Sequence, residues 1–228
     1  MSKVPAVLGR GSRINVALLQ PGSTSPIVPQ TVALASGAAA AAISLTVEAL
    51  EQPIAASAAA PSYLSFVDAN GEEGFATVTA SAAAGATTLT VEPLRKAIAV
   101  SSTAEYPARL SGRTNANFEP NIQDQEINTF DSDGFETGIV TKVGYQFSCD
   151  GNFLPLDAGI RACFHAVNNF GSLWVIYQMP VPAGYMTGYT FKGVAAVTAM
   201  PIQNNAENFV TANLTFKFRG QPIILVPQ

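Results

Sequence analysis

Charge is scarce in this sequence. Lysine, arginine, aspartate and glutamate together make up 12% of its 228 residues, about half the share of an ordinary globular chain. Histidine is scarcer still: His165 is the single one, which excludes a zinc centre built on paired histidines and any mechanism that needs two imidazoles. The two cysteines, Cys149 and Cys163, permit one disulfide at most. Met1-Ser-Lys-Val-Pro5 shows no apolar core of an export signal, so a reduced pair is expected, with Cys163 serving as a small core residue. Long apolar runs are missing too. Hydrophobic residues reach 48%, yet no stretch approaches the roughly 18 consecutive apolar residues of a membrane helix. The longest alanine run is only Ala38 to Ala42, and no membrane partner is expected. The net charge of −4 disfavours tight wrapping of nucleic acid, which runs on lysine and arginine. A chain this weakly charged is expected to have much of its surface covered, and contacts between its own copies are the simplest cover.

The residues that could carry chemistry are few, and each has a structural explanation. Cys163 and His165 stand two apart on an expected helix and do not face each other, so a nucleophile pair would have to use Cys149. Asp131-Ser-Asp-Gly134-Phe-Glu136 and Asp68-Ala-Asn-Gly71-Glu-Glu73 are acidic turns without the ligand ladder and closing glutamate of an EF-hand. Gly9-Arg-Gly-Ser12 lacks the preceding strand and the Lys-Thr end of a phosphate loop. Trp174, Tyr177, Tyr185 and Tyr189 have no basic patch among them. They read as packing residues rather than as a stacking platform for single-stranded nucleic acid. Glu48 and Glu92 invite comparison with the paired carboxylates of glycosidases, but on short apolar strands they read better as solubilising positions. No catalytic, cofactor or metal site is expected, and the chain is not expected to be an enzyme.

What the sequence does have is pattern. After Gly9-Arg-Gly11, Ile14, Val16 and Leu18 alternate with Arg13, Asn15 and Ala17, which predicts an arm and then a strand. From Thr31 to Pro107 the composition turns to Ala, Ser, Thr and Gly, and an internal repeat emerges. Leu45-Thr-Val-Glu-Ala-Leu50 returns 44 residues on as Leu89-Thr-Val-Glu-Pro-Leu94, with Ile54-Ala55 matching Ile98-Ala99. Two copies are too few for a solenoid, so a small module with pseudo-twofold halves is expected. Between the copies, Tyr63 to Val67 and Phe75 to Val78 flank Asn70-Gly71 as a hairpin. Leu110 to Ser132 has little periodicity and is expected to be a long loop. Phe135 to Ser148 is expected to be a long strand, with Ile139, Thr141, Val143, Tyr145 and Phe147 on one face. Ile160, Cys163, Phe164 and Val167 then recur at helical spacing. Three strand-like runs follow, Leu173 to Met179, Tyr189 to Pro201 and Phe209 to Phe218; in the last, Val210, Ala212, Leu214, Phe216 and Phe218 alternate with polar residues.

Several turn residues punctuate this order: Gly151, then Asp157-Ala-Gly159 before the helix, Pro182-Ala-Gly184 between strands, a strand from Gly193 to Ala199, and Arg219-Gly220 closing the last one. Upstream stands the acidic stretch Glu126-Ile-Asn-Thr-Phe-Asp-Ser-Asp-Gly134. From about Thr114 to Gly220 this arrangement resembles the phage major tail proteins, the subunits of tail tubes. The resemblance implies a mainly β fold: an antiparallel β-sandwich or barrel-like core with one flanking α-helix, drawn from residues 1–30 and 108–228. Residues 31–107 would be an inserted small β-rich module projecting outward. It further implies subunits in stacked hexameric rings around a lumen for DNA, assembled in the host cytoplasm and ending in the virion tail. Partners would be its own copies, other tail proteins such as sheath, tape measure or terminator, and DNA in transit without tight binding. Arm Met1 to Arg13 and the stretch Leu110 to Ser132 would carry ring-to-ring contacts. A lumen that passes DNA should present carboxylates, and Glu136 and Glu207, at the starts of expected long strands, are the candidates. Two other readings stay open: a virion decoration or host-surface-binding module, and a carboxylate-based hydrolase.

Overall fold

The computed structural model describes residues 12–67, 73–126, 138–204 and 210–228. In chain order the strands are β1 (Arg13–Leu18), β2 (Gln30–Ala33), β3 (Ser44–Thr46), β4 (Ser62–Val67), β5 (Glu73–Val78), β6 (Thr88–Thr90), β7 (Thr103–Tyr106), β8 (Ala108–Arg109), β9 (Arg113–Glu126) and β10 (Gly138–Gly151). After the one helix among the described residues, α1 (Ala158–Asn168), come β11 (Leu173–Gln178), β12 (Thr190–Ala199), β13 (Ile202–Gln203), β14 (Thr211–Ala212), β15 (Leu214–Phe218) and β16 (Ile223–Leu225). The fold is mainly β, antiparallel, with one flanking helix, as expected.

Eight strands make the main sheet in the order β8-β1-β11-β12-β15-β10-β9, with β16 alongside the start of β12. Its inner face is the side to which the alternating residues point. Ile14, Val16 and Leu18 of β1 bury there with Leu173, Val175 and Tyr177 of β11, Leu214 and Phe216 of β15, and Phe147 and Cys149 of β10. Each such Leu, Val or Phe contributes about 1.5–3 kcal/mol on burial. The shared face therefore holds these strands more than their propensity does. Helix α1 packs on this face by Ile160 and Cys163 of the expected stripe, widened toward its small residues. Ala158, Gly159, Ala162 and Ala166 are buried with Ile160 and Cys163, whereas Val167 is 38% exposed and Phe164 only half-buried. Small residues let the helix axis approach the sheet closely, so the larger ones are displaced to its rim.

Two glycines of the sequence pattern are explained by close approach. A Cβ on Gly159 would lie 2.8 Å from the Arg109 carbonyl oxygen, and one on Gly151 would lie 2.2 Å from that of Gly112. Asp157 caps the helix: one carboxylate oxygen accepts from the Ile160 N–H at 2.8 Å and the other from the Ser111 N–H at 3.0 Å. The Asp-x-Gly sequence thus ties the helix start to the strand end passing beneath it.

Of the stretch expected as a loop from Leu110 to Ser132, Arg113–Glu126 is instead the 14-residue strand β9, paired with β10 with register shifts between Val140 and Lys142 and between Asp150 and Gly151; residues 127–132 lie outside the described residues. The strand was illegible because its described side chains give the core only Ala116 and Phe118. Ala116 and Phe118 are half-buried and the alternate residues Asn115, Asn117 and Glu119 are exposed, so the apolar period is only two residues deep. On β10 the expected face is buried at Phe147 and half-buried at Tyr145, but Val143 is 48% exposed. The side chains of Ile139 and Thr141 lie outside the described set.

Residues from Val32 to Tyr106 form a second buried cluster, joined by Ala17 from the back of β1. Here the repeat becomes geometry. β3 and β6 pair antiparallel with Leu45 opposite Leu89, so the two equivalent residues of the repeat face each other across a pseudo-twofold axis. The bridges follow the same symmetry: Leu34 with Val47 is matched by Val78 with Val91, and Ala38 with Ile98 by Ala82 with Ile54. In the last pair each half reaches across to the other. β4 and β5 form the expected hairpin; its Asn-Gly turn falls outside the described residues.

Candidate functional site

The outer face of the main sheet divides in two. Over β1 and β11 it is covered, with Leu19, Trp174 and Ile176 buried against Ile27 and Val194. Over β12, β15 and the described side chains of β10 and β9 its residues stay in contact with solvent. The register lines up Ala196, Lys217, Gln146 and Glu119 in one cross-strand row, and Thr215, Ser148 and Asn117 in the next. Asp150 stands opposite Asn115 beyond them. Lys217, Asn117, Glu119 and Asp150 are exposed, and Gln146, Ser148 and Thr215 are half-buried. These are the side chains that alternate with the buried Phe147, Cys149, Leu214 and Phe216. The result is a polar face with no large apolar residue in these rows, on which Lys217 stands among the carboxylates of Glu119 and Asp150.

Its edge is as notable as its face. Among the described residues β9 pairs only with β10, which leaves one side of a 14-residue strand as a row of unpaired backbone donors and acceptors. Edges of that length are normally shortened, bulged or covered. Pro120 stands in it opposite Tyr145, a residue type that sheets confine to edge strands. The short period of Asn115-Ala116-Asn117-Phe118-Glu119 was the one signal in the sequence that could have revealed it.

The residues nominated from the sequence fare differently. Glu136 and Glu207 lie outside the described residues, as does the Asp131 to Glu136 turn. Of the Asp68 to Glu73 turn only the Glu73 backbone is described, at the start of β5. Glu48 and Glu92 occupy equivalent exposed positions in the two halves of the repeat. Trp174 and Tyr177 are buried, 3% and 4% exposed, on opposite faces of β11, so they share no stacking surface. Tyr185 and Tyr189 are exposed. Cys149 and Cys163 are buried free thiols. Burial pushes Cys149 up to about 12 and Cys163 well above its ordinary value, which keeps both protonated and unreactive. His165 joins α1 to the repeat-bearing segment: Nε2 lies 2.9 Å from the Ala59 carbonyl and Nδ1 lies 3.1 Å from the Tyr63 hydroxyl. A carbonyl can only accept, so Nε2 carries the proton, and in the neutral ring Nδ1 accepts from Tyr63.

Beside that histidine, the Arg161 guanidinium sits 4.4 Å from the Phe75 ring centre, and the Ala158 N–H donates to the Ser65 hydroxyl at 3.1 Å. These are seam contacts between helix and hairpin. A broad groove of about 610 Å³ is bordered by Ile14, Arg109, Arg113 and Tyr177. Arg113 is committed to the carbonyls of Ser111, Ala212 and Asn152. Among the described residues no grouping of His, Cys, Asp and Glu is placed to hold a metal ion. No protein-family model matches the chain, and no curated protein matches it.

Proposed function

We propose that this chain is a structural subunit that polymerises as stacked rings into a tube of the phage-tail kind, through which DNA passes. The observation that carries the reading is the pairing of a bare polar sheet face with a long free edge. A ring of such sheets, each β9 edge meeting the next copy, would remove the edges. Head-to-tail repetition of one contact closes such a ring when the rotation between copies allows it. The bare face would then line the passage. Its small polar groups, with Lys217 outnumbered by Glu119 and Asp150, would hold DNA weakly, because strong phosphate binding needs a basic surface. Glu119 and Asp150 are the carboxylates placed on that face; Glu136 and Glu207 would add to them. The resemblance of its turn order to that of tail-tube subunits points the same way, and in this chain Gly151 and Gly159 stand where backbones approach closely.

On this reading the partners are further copies of the chain and the tail proteins that bound the tube, and residues 31–107 project from its outside. The test is direct imaging. Purified protein, concentrated and viewed in negative stain, should give rings or tubes of uniform diameter. Monodisperse monomers at every concentration and ionic strength would overturn the assignment.

A further inference from the structure

The strand order puts β8 and β1 at one end of the main sheet and β9 at the other, and the sheet curls until both ends border the groove of about 610 Å³. Ser12, Ile14 and Tyr177 stand on one side of it, and residues 113–116, the start of β9, on the other. The linker 110–112 crosses between them. It is held by the Leu110 N–H, which donates to the Ile14 carbonyl at 2.8 Å, and by the Ser111 N–H, which donates to the Asp157 carboxylate at 3.0 Å. Two guanidinium groups border the groove, those of Arg109 and Arg113, and among the described residues no aspartate or glutamate does. In a chain of 12 basic and 16 acidic residues, that is a local excess of positive charge. Arg113 is half-buried and gives N–H groups to the carbonyls of Ser111, Ala212 and Asn152. Those partners are neutral, so they fix the guanidinium without cancelling its charge. Arg109 is exposed, and its side chain has no hydrogen-bond or ion-pair partner among the described residues.

We propose that this groove binds an extended acidic peptide segment of a partner protein, added as a strand to the start of β9. Two independent features select that ligand. The first is the backbone. On its outer side β9 has no partner among the described residues, so residues 113–116 offer unpaired main-chain donors and acceptors, the feature that strand addition uses. The second is charge, since a guanidinium matches a carboxylate in paired hydrogen bonds. Nucleic acid would need a longer basic track than two arginines. A small anion would use the arginines and leave the edge unpaired. The anchored linker and the fixed Arg113 leave little to reorganise on binding. Residues 117–126 of β9 lie beyond the groove, so the proposal does not rest on contacts between copies along the rest of the strand.

The test is fluorescence anisotropy on the full chain with three labelled, end-blocked probes. One is a short peptide of alternating glutamate and valine. The second carries lysine in place of glutamate. The third is the acidic peptide methylated on its backbone nitrogens, which removes its main-chain donors. The native chain should bind the acidic peptide saturably and the other two at least about tenfold more weakly, the loss expected when charge-assisted or main-chain bonds are removed. Arg109→Glu should weaken the acidic peptide by a similar factor. Because Arg109 is exposed and unpartnered among the described residues, that variant should keep the native far-UV circular dichroism and melting temperature. No saturable binding of the acidic peptide would overturn the proposal, and so would equal binding by Arg109→Glu. Equal binding of the methylated peptide would overturn strand addition and leave an anion site only. The tubes are read separately by negative stain and stand or fall without any of these results.

Discussion

The pseudo-twofold symmetry of the repeat makes one stability experiment unusually clean. Ala41 and Gly85 are equivalent positions 44 residues apart, and both take left-handed backbone, at φ 65° and 81°. Their surroundings match. The Ala41 N–H donates to the Leu94 carbonyl at 2.8 Å, and the Gly85 N–H donates to the Leu50 carbonyl at 2.7 Å. A Cβ on Gly85 would meet nothing within 4 Å, so substitution there tests conformation without a steric clash. Left-handed backbone costs a residue with a Cβ about 1–2 kcal/mol, and the stiffer unfolded chain returns about 0.4–1 of it. Gly85→Ala should therefore destabilise by about 1 kcal/mol, and Ala41→Gly should stabilise by a similar amount. For a chain of this size that is a shift of about 2–4 °C in melting temperature in each direction. The double variant should return to within about 0.5 kcal/mol of the native chain if the sites act independently. Urea unfolding followed by circular dichroism reads all three. A neutral or stabilising Gly85→Ala would refute the equivalence of the two halves.

Asp157→Ala should lower stability by roughly 2–3 kcal/mol, because it removes a helix cap and strands the N–H groups of Ile160 and Ser111; a urea midpoint within error of native would contradict it. Cys149 and Cys163 should resist thiol reagents at pH 8 in the native state and react fully in urea. Because burial raises the Cys149 thiol from 9.0 to about 12, the fold holds that proton more tightly than the unfolded chain. The stability linked to it is complete below pH 9 and is lost as pH climbs from there toward 12. Alkaline titration of unfolding should show that loss beginning above pH 9, and Cys149→Ala should reduce its slope.

Legibility in this chain followed burial. β1, β12 and β15 were readable because each presses one face against α1 or its neighbours, which makes apolar and polar residues alternate, whereas β11, buried on both faces, was readable as a continuous apolar run. The repeat was readable as identity of sequence. Its consequence was not: nothing in Leu45 or Leu89 says that they pair with each other rather than with strands of their own half. The helix was found by its spacing, and Ile160 and Cys163 of the expected stripe are buried, but the stripe extends over Ala158, Ala162 and Ala166 rather than to Val167, since alanine and glycine weigh little in an apolar pattern and yet decide how near the sheet a helix can lie. The nominated carboxylates Glu136 and Glu207 rested on strand starts and fall outside the described residues. Glu119 and Asp150 emerged only once register placed them on one face.

The strand that sequence periodicity missed is the one on which the proposed function turns. Alternation records what a strand buries within its own chain. Of the described side chains of β9, Ala116 and Phe118 are the apolar ones packed on the core, and its outer edge has no partner among the described residues. A surface completed by other copies, or by water in a passage, leaves no apolar signature in the monomer, only Thr, Asn, Ser and Gln where a loop would also have them. A strongly basic face would arrest DNA. The edge strand instead carries both signs, with Arg113, Glu119, Asp124 and Glu126 among its 14 residues, so charge matching between copies would have to set the register of any pairing along it.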